Sequence, residues 1–115
     1  MFAKATPLAR CLAAFVVCSV SFSGWAETFE EIKEMAEQGD ANAQSILGKM
    51  YAHGQGVLQD YARAHMWYNI AGANGHEEGP EERDNVAEKM TSDQIAEAQR
   101  MASEMLEANP KVLGE

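Results

Sequence analysis

Cysteine is nearly absent from this chain of 115 residues: Cys11 and Cys18 are the only two, and both lie before residue 26. The remainder has no disulfide staple, no thiolate metal ligand and no cysteine nucleophile to draw on. Basic residues are also scarce. Nine Lys and Arg stand against 18 Asp and Glu, and every acid lies at or after Glu27, whereas Lys4 and Arg10 precede it. Residues 27–115 therefore carry 7 basic and 18 acidic groups, net −11. A surface of that charge repels phosphate backbones and anionic lipid head groups, which bind through Lys and Arg. Nucleic acid and membrane-surface partners are not expected. The length suits one small domain and excludes an enzyme with a separate cofactor-binding half.

What is present first is an export signal. Lys4 and Arg10 make a short positive region, Cys11 to Phe22 form a 12-residue uncharged and mostly apolar run, and Gly24-Trp25-Ala26 offers small residues where a signal peptidase cuts. A membrane-spanning helix needs about 20 apolar residues, so this run is short for a retained anchor. Phe15-Val16-Val17, bulky residues ahead of Cys18, speak against a lipoprotein. Residues 1–26 are expected to be a secretory signal peptide and residues 27–115 the folded domain, periplasmic or secreted. Retention of the segment as an anchor stays open.

From Glu27 onward the spacing of apolar residues is helical and no segment alternates convincingly as a strand. Thr28-x-x-Glu31 has the form of a capping box, with Phe29, Ile32, Met35 and Ala36 sharing one helical face and Gly39 suited to end the helix. Asp40 caps a second helix whose apolar set is Ala43, Leu47, Met50 and Tyr51, broken by Gly54 and Gly56. Asp60 caps a third, carrying Ala64, Trp67, Tyr68, Ile70 and Ala71 and stopped by Asn74-Gly75. Gly79-Pro80 opens a fourth with little apolar content beyond Val86, Ala87 and Met90. Thr91-x-x-Gln94 is a second capping box, opening a helix with Ile95, Ala98, Ala102, Met105 and Leu106 that Asn109-Pro110 closes. The connections are short, so successive helices are expected to pack antiparallel. The predicted fold is all-α: antiparallel helical hairpins stacked as a short right-handed solenoid, about five helices after the signal peptide.

One stretch has a more specific pattern. Gly39-Asp40-Ala41-x-Ala43-Gln44 is followed by Leu47-Gly48-x-x-Tyr51, then Gly54-x-Gly56-Val57-x-x-Asp60, then Ala64-x-x-Trp67, Ala71 and Gly75. Residues 39–75 resemble a Sel1-like repeat, a helical hairpin related to the tetratricopeptide repeat, and the signal marks a small exported bacterial member. Residues 80–108, with Arg83-Asp84 and Met90-Thr91, are placed as a closing helical pair of such a protein would have them. Gly48 then belongs at a helix crossing, Val57 plugs the open end of the hairpin, and Trp67 locks its two helices together. Solenoid repeats generally need at least three copies for stability. With one clear repeat, the flanks must act as caps or another chain must complete the stack.

Catalytic patterns do not emerge. His53, His65 and His76 are 12 and 11 residues apart, so no two share a helical turn and no HExxH pair exists. His53 and His76 sit at helix ends, where an imidazole can serve the last carbonyls. Glu77, Glu78, Glu81, Glu82 and Asp84 make a crowded, solvated acidic face rather than an acid–base pair, which requires one desolvated carboxyl. No serine has a lysine three residues on, no GxSxG elbow occurs, and Gly54-Gln55-Gly56 lacks the rest of a nucleotide fingerprint. The methionines recur at helical spacing and read as core filler. No catalytic, cofactor-binding or metal site is expected.

The resemblance implies a protein–protein interaction module, an adaptor or regulator without catalytic activity, with a protein or peptide as partner. A cell-wall-related hydrolase or ligand-binding protein of the same fold is the alternative, although relatives linked to such substrates rely on cysteine frameworks absent here. A self-associating structural subunit, a small homo-oligomer, is the third. At 100° per residue the second helix turns Asn42, Ser45, Lys49 and Ala52 away from its apolar side. In stacked hairpins the first helix of each pair lines the concave groove, so these four residues are the expected partner-binding stripe, with Lys49 its one charge.

Overall fold

Five helices follow one another in the computed structural model, which describes residues 24–114. They are α1 (Gly24–Glu37), α2 (Ala41–His53), α3 (Tyr61–Ala73), α4 (Gly79–Ala87) and α5 (Ser92–Ala108), closed by a 3-10 turn over Pro110–Leu113. Among the described residues there is no strand, and no helix is long and apolar enough to cross a membrane. Up to residue 23, the expected signal segment lies outside the described residues.

Three of the four side-chain caps read from the sequence are present as anticipated. The Asp40 carboxylate accepts from the Ala43 N–H at 3.0 Å, and the Asp60 carboxylate from the Arg63 N–H at 3.0 Å. Thr91 and Gln94 form a reciprocal capping box, the threonine hydroxyl accepting from Gln94 N–H and the glutamine carbonyl from Thr91 N–H. Each satisfies first-turn donors that have no partner inside the helix. Thr28 differs. Helix α1 already begins at Gly24, so Thr28 lies inside it rather than at its start; nothing between Gly24 and Thr28 interrupts a helix. Met35, placed on the apolar side of α1 by spacing, is 49% exposed, because Ala36 and the half-buried Ile32 and Phe29 already fill the contact with the core.

The hairpin α2–α3 is covered on two sides. On one side Leu47, Met66, Trp67 and Ile70 pack with Ala36 of α1, Ala102 of α5 and Val112 of the closing turn. On the other, Ala52, Ala64 and Tyr68 pack against Val86 of α4. Trp67 is 3% exposed and Tyr68 1%, so the two largest rings of α3 serve opposite sides of the hairpin. Gly48 lies under Tyr68: a Cβ there would stand 3.0 Å from two atoms of the ring, which is the close crossing anticipated for it.

The last two helices pack on α3 rather than on each other. Both α4 and α5 pack on α3, and α5 also packs on the closing turn, whereas α4 and α5 hardly touch. Helix α4 has too little apolar surface to hold a neighbour of its own; Val86 is its one buried large side chain. A polar knot anchors the chain end instead. The Gln44 side chain is fully buried and donates to Ala36 O at 2.9 Å and Val112 O at 2.8 Å. The Asn74 amide donates to Gln44 Oε1 at 2.8 Å and to Val112 O at 2.7 Å, and the Asn109 amide donates to Glu37 O at 2.8 Å. Buried polar groups are tolerated when so paired. The result brings Gly114 onto Gly39, where a Cβ would lie 2.4 Å from the Gly114 Cα.

Candidate functional site

Helix α2 is buried over a wide arc. Ala43, Gln44, Leu47, Gly48, Met50 and Ala52 are all buried, which at 100° per residue covers about 200° of its circumference. Amphipathic helices that face a single core bury half that; α2 lies between neighbours on two sides. The exposed remainder is the strip of Asn42, Ile46, Lys49 and, in the last turn, His53, bordered by Ser45.

Three of the four stripe residues expected from sequence lie together on this strip. Asn42, Ser45 and Lys49 line an opening of about 380 Å³, with Ile46, His76 and Glu78 completing it. Ala52 does not belong to it. It is 8% exposed and packs with Ala64, Tyr68 and Val86: it sits about 60° around the helix from Lys49, far enough to meet the α4 side. The other three participants were not singled out as binding residues. Ile46 had a legible signal, since it falls four residues after Asn42 and three before Lys49, an apolar residue in the middle of a polar stripe. His76 and Glu78 come from the α3–α4 connection and had none, because only packing brings that connection beside α2.

The connection is held firmly. The N–H of His76 donates to Ala71 O at 2.9 Å and that of Gly79 to His76 O at 3.2 Å. A Cβ on Gly79 would stand 2.8 Å from Gly72 N and 2.9 Å from Tyr68 O, so glycine is what allows α4 to start against α3. His76 was expected to serve the last carbonyls with its ring; its backbone does so, and its Nδ1 is buried without a hydrogen-bond partner. His53 does behave as expected, its Nδ1 lying 3.1 Å from Lys49 O. A second opening of about 380 Å³, lined by Asn42, Gly75, His76, Glu77 and Glu78, adjoins the first. Lys49 thus shares its opening with one carboxylate, Glu78, and Glu77 lines the adjoining one, so the strip presents a cation, an exposed apolar side chain and an acidic edge.

Elsewhere the titratable groups serve the packing. His65, 4% exposed on α3, has a pKa lowered from the ordinary 6.5, by burial first and by the Arg83 cation second, with Asp84 opposing. Burial, and then Glu82, push the Tyr68 phenol up to about 12. Arg83 donates to Asn69 Oδ1 at 2.9 Å and to Asp84 at 3.1 Å, pinning α4 to α3. Among the described residues no three His, Cys, Asp or Glu side chains gather as a metal site would require.

Residues 41–76, which span α2, the glycine loop, α3 and the connection at His76, match the family model of the Sel1 repeat. That stretch is a Sel1-like repeat. Its fold is similar to the crystal structure of c5321, "a protective antigen present in uropathogenic Escherichia coli strains displaying an SLR fold", with a TM-score of 0.71 and 29% sequence identity. The similarity covers 78% of this chain but 20% of that one, so this chain corresponds to about a fifth of the longer protein. No curated protein matches the sequence. The Sel1-like fold is a scaffold for protein–protein interaction, and the exposed strip of α2 belongs to the first helix of its matched hairpin.

Proposed function

We propose that this Sel1-like chain is an exported interaction module that holds a segment of a partner protein, without acting on it chemically, against the outer strip of α2. The observation that carries the reading is Ile46. It is 46% exposed at an opening of about 380 Å³ whose other contributors are polar or charged. An exposed apolar side chain ringed by Asn42, Ser45, Lys49, His76 and Glu78 has the make-up of an interface: a contact that a partner's side chain can cover, with a rim that fixes its orientation. Lys49 supplies the attraction for a carboxylate, and Glu78 sets the opposite preference at the same opening. Export rests on the positive, apolar and small-residue order of residues 1–26.

A photo-reactive amino acid at position 46 should form a discrete adduct with one partner from periplasmic extract, and the same group at exposed Gln99 on α5 should not. Lys49→Glu should reduce the adduct while leaving helicity by circular dichroism unchanged. Equal labelling from both positions would refute the assignment of this strip. Mass spectrometry of the exported protein should find Glu27 as its first residue; an intact Met1 in the membrane fraction would refute export as a cleaved protein.

A further inference from the structure

Three methionines that belong to the core cluster or pack against it also border a common opening away from the α2 strip. Met101 and Met105 stand one turn apart on α5, both half-buried, and Met66 of α3 is 4% exposed. All three line a single opening of about 300 Å³, which Arg63, Glu104 and Ala108 complete. Methionines that only fill a core close the space around them; these three border open space. Side chains four apart on a helix have Cβ atoms about 5–6 Å apart, so the flexible Met101 and Met105 chains can bring their sulfurs to one point. Met66 approaches from a different helix.

We infer that this opening binds a soft monovalent metal ion, Cu(I) or Ag(I), through the thioether sulfurs of Met66, Met101 and Met105. Thioethers are polarizable, uncharged ligands that favour Cu(I) over hard divalent ions. The hard-donor content of the opening is low: its one carboxylate, Glu104, is engaged by Arg100, which also pairs with Glu97. That ion-paired face and the Thr91–Gln94 capping box hold α5 as a regular helix, which keeps Met101 and Met105 in register. The one cation lining the opening is Arg63. Its guanidinium sits 5.9 Å from the centroid of the Tyr51 ring and 3.9 Å from the Asp60 carboxylate, so its charge is directed to partners of its own. Downstream of residue 26 there is no cysteine thiolate to compete for such an ion. The inference is independent of the α2 strip and of whether the chain is exported.

The test is a titration of the purified protein, labelled with ¹³C at its methionine methyl groups, with silver nitrate in chloride-free buffer. The resonances of Met66, Met101 and Met105 should move together to a one-to-one endpoint, and that of Met35, exposed on α1, should not. Even outer-shell partners of metal sites are worth about 10–100-fold in affinity, so Met101→Leu or Met105→Leu, which conserve volume, should each weaken binding by about 100-fold or more. Met35→Leu should leave the affinity unchanged, and zinc should not move the three resonances. Unmoved resonances at stoichiometric silver would overturn the proposal. So would an endpoint at the histidines, or equal affinity in the Met101 and Met105 variants; the opening would then be a contact for apolar side chains only. Because Met101 and Met105 are half-buried, their leucine variants decide the matter even if Met66→Leu fails to fold.

Discussion

Replacing Gln44 with leucine removes the centre of the polar knot without opening a cavity, since the two side chains are close in volume. The wild-type amide makes three hydrogen bonds: it donates to Ala36 O and Val112 O and accepts from Asn74 Nδ2. Each partner keeps another bond afterwards. Ala36 O still accepts from the Gly39 N–H at 3.1 Å, and Asn74 Nδ2 and Val112 O still bond each other at 2.7 Å. No group is left orphaned in the core, so the cost is three net hydrogen bonds at about 0.5–1.5 kcal/mol each, some 2–4 kcal/mol in all. Against a total of about 5–15 kcal/mol for a small domain, urea denaturation should show a clearly lower midpoint with an unchanged slope. The loss should concentrate where the bonds converge. Amide exchange at Val112 and Gly114, in the closing turn, should accelerate more than at Ala64 on the far side of the hairpin. Asn74→Leu removes two bonds and leaves the buried Gln44 Oε1 without its donor, so it should cost at least as much. A Gln44→Leu protein as stable as the wild type would refute the reasoning and mean that the added apolar burial offsets the whole network.

Trp67→Ala should lower stability by about 3–5 kcal/mol, the cost of a buried aromatic truncated to a methyl; a thermal midpoint that barely moves would refute its role as the link between α1, α5 and the hairpin. Gly79→Ala should destabilise by about 1–3 kcal/mol despite a better helix former, because its Cβ meets backbone atoms of Gly72 and Tyr68 that cannot turn aside. Unchanged stability by urea denaturation would show that α4 shifts freely. His65 is neutral-favouring in the fold: its pKa lies below the ordinary 6.5, so the unfolded chain binds more protons as pH falls through that value. Its contribution is fully present above 6.5 and lost progressively below it. His65→Leu should flatten the fall in stability between about pH 7 and pH 5, and parallel slopes would refute the assignment.

Much of the helical architecture was legible because its signals are local. A cap such as Asp40, Asp60 or Thr91 acts within three residues, and the spacing of Ala64, Trp67, Tyr68, Ile70 and Ala71 identified a helix whatever packed against it. Gly54 and Gly56 do adopt left-handed angles, φ 69° and 79°, which the loop between α2 and α3 requires. The candidate site was half legible for the same reason. Asn42, Ser45 and Lys49 follow from helix periodicity, and Ile46 was open to the same arithmetic; Ala52 was misplaced because a single helix cannot show that it has neighbours on two sides.

The sequence by itself determined the all-helical class, the hairpin with its glycine loop, and the acidic character of residues 27–115, since each depends on a residue and its near neighbours along the chain. Only the tertiary structure decided that α5 packs on α3 rather than α4, that Gln44 and Asn74 tie the chain end to α1, and that His76 and Glu78 stand beside Lys49. Most of those relations join residues far apart in the chain, as Gln44 and Val112 are at 68 positions. They are set by which apolar surfaces are left uncovered once α2 and α3 have paired, and by which carbonyls remain to be satisfied there, quantities that no short stretch of sequence contains.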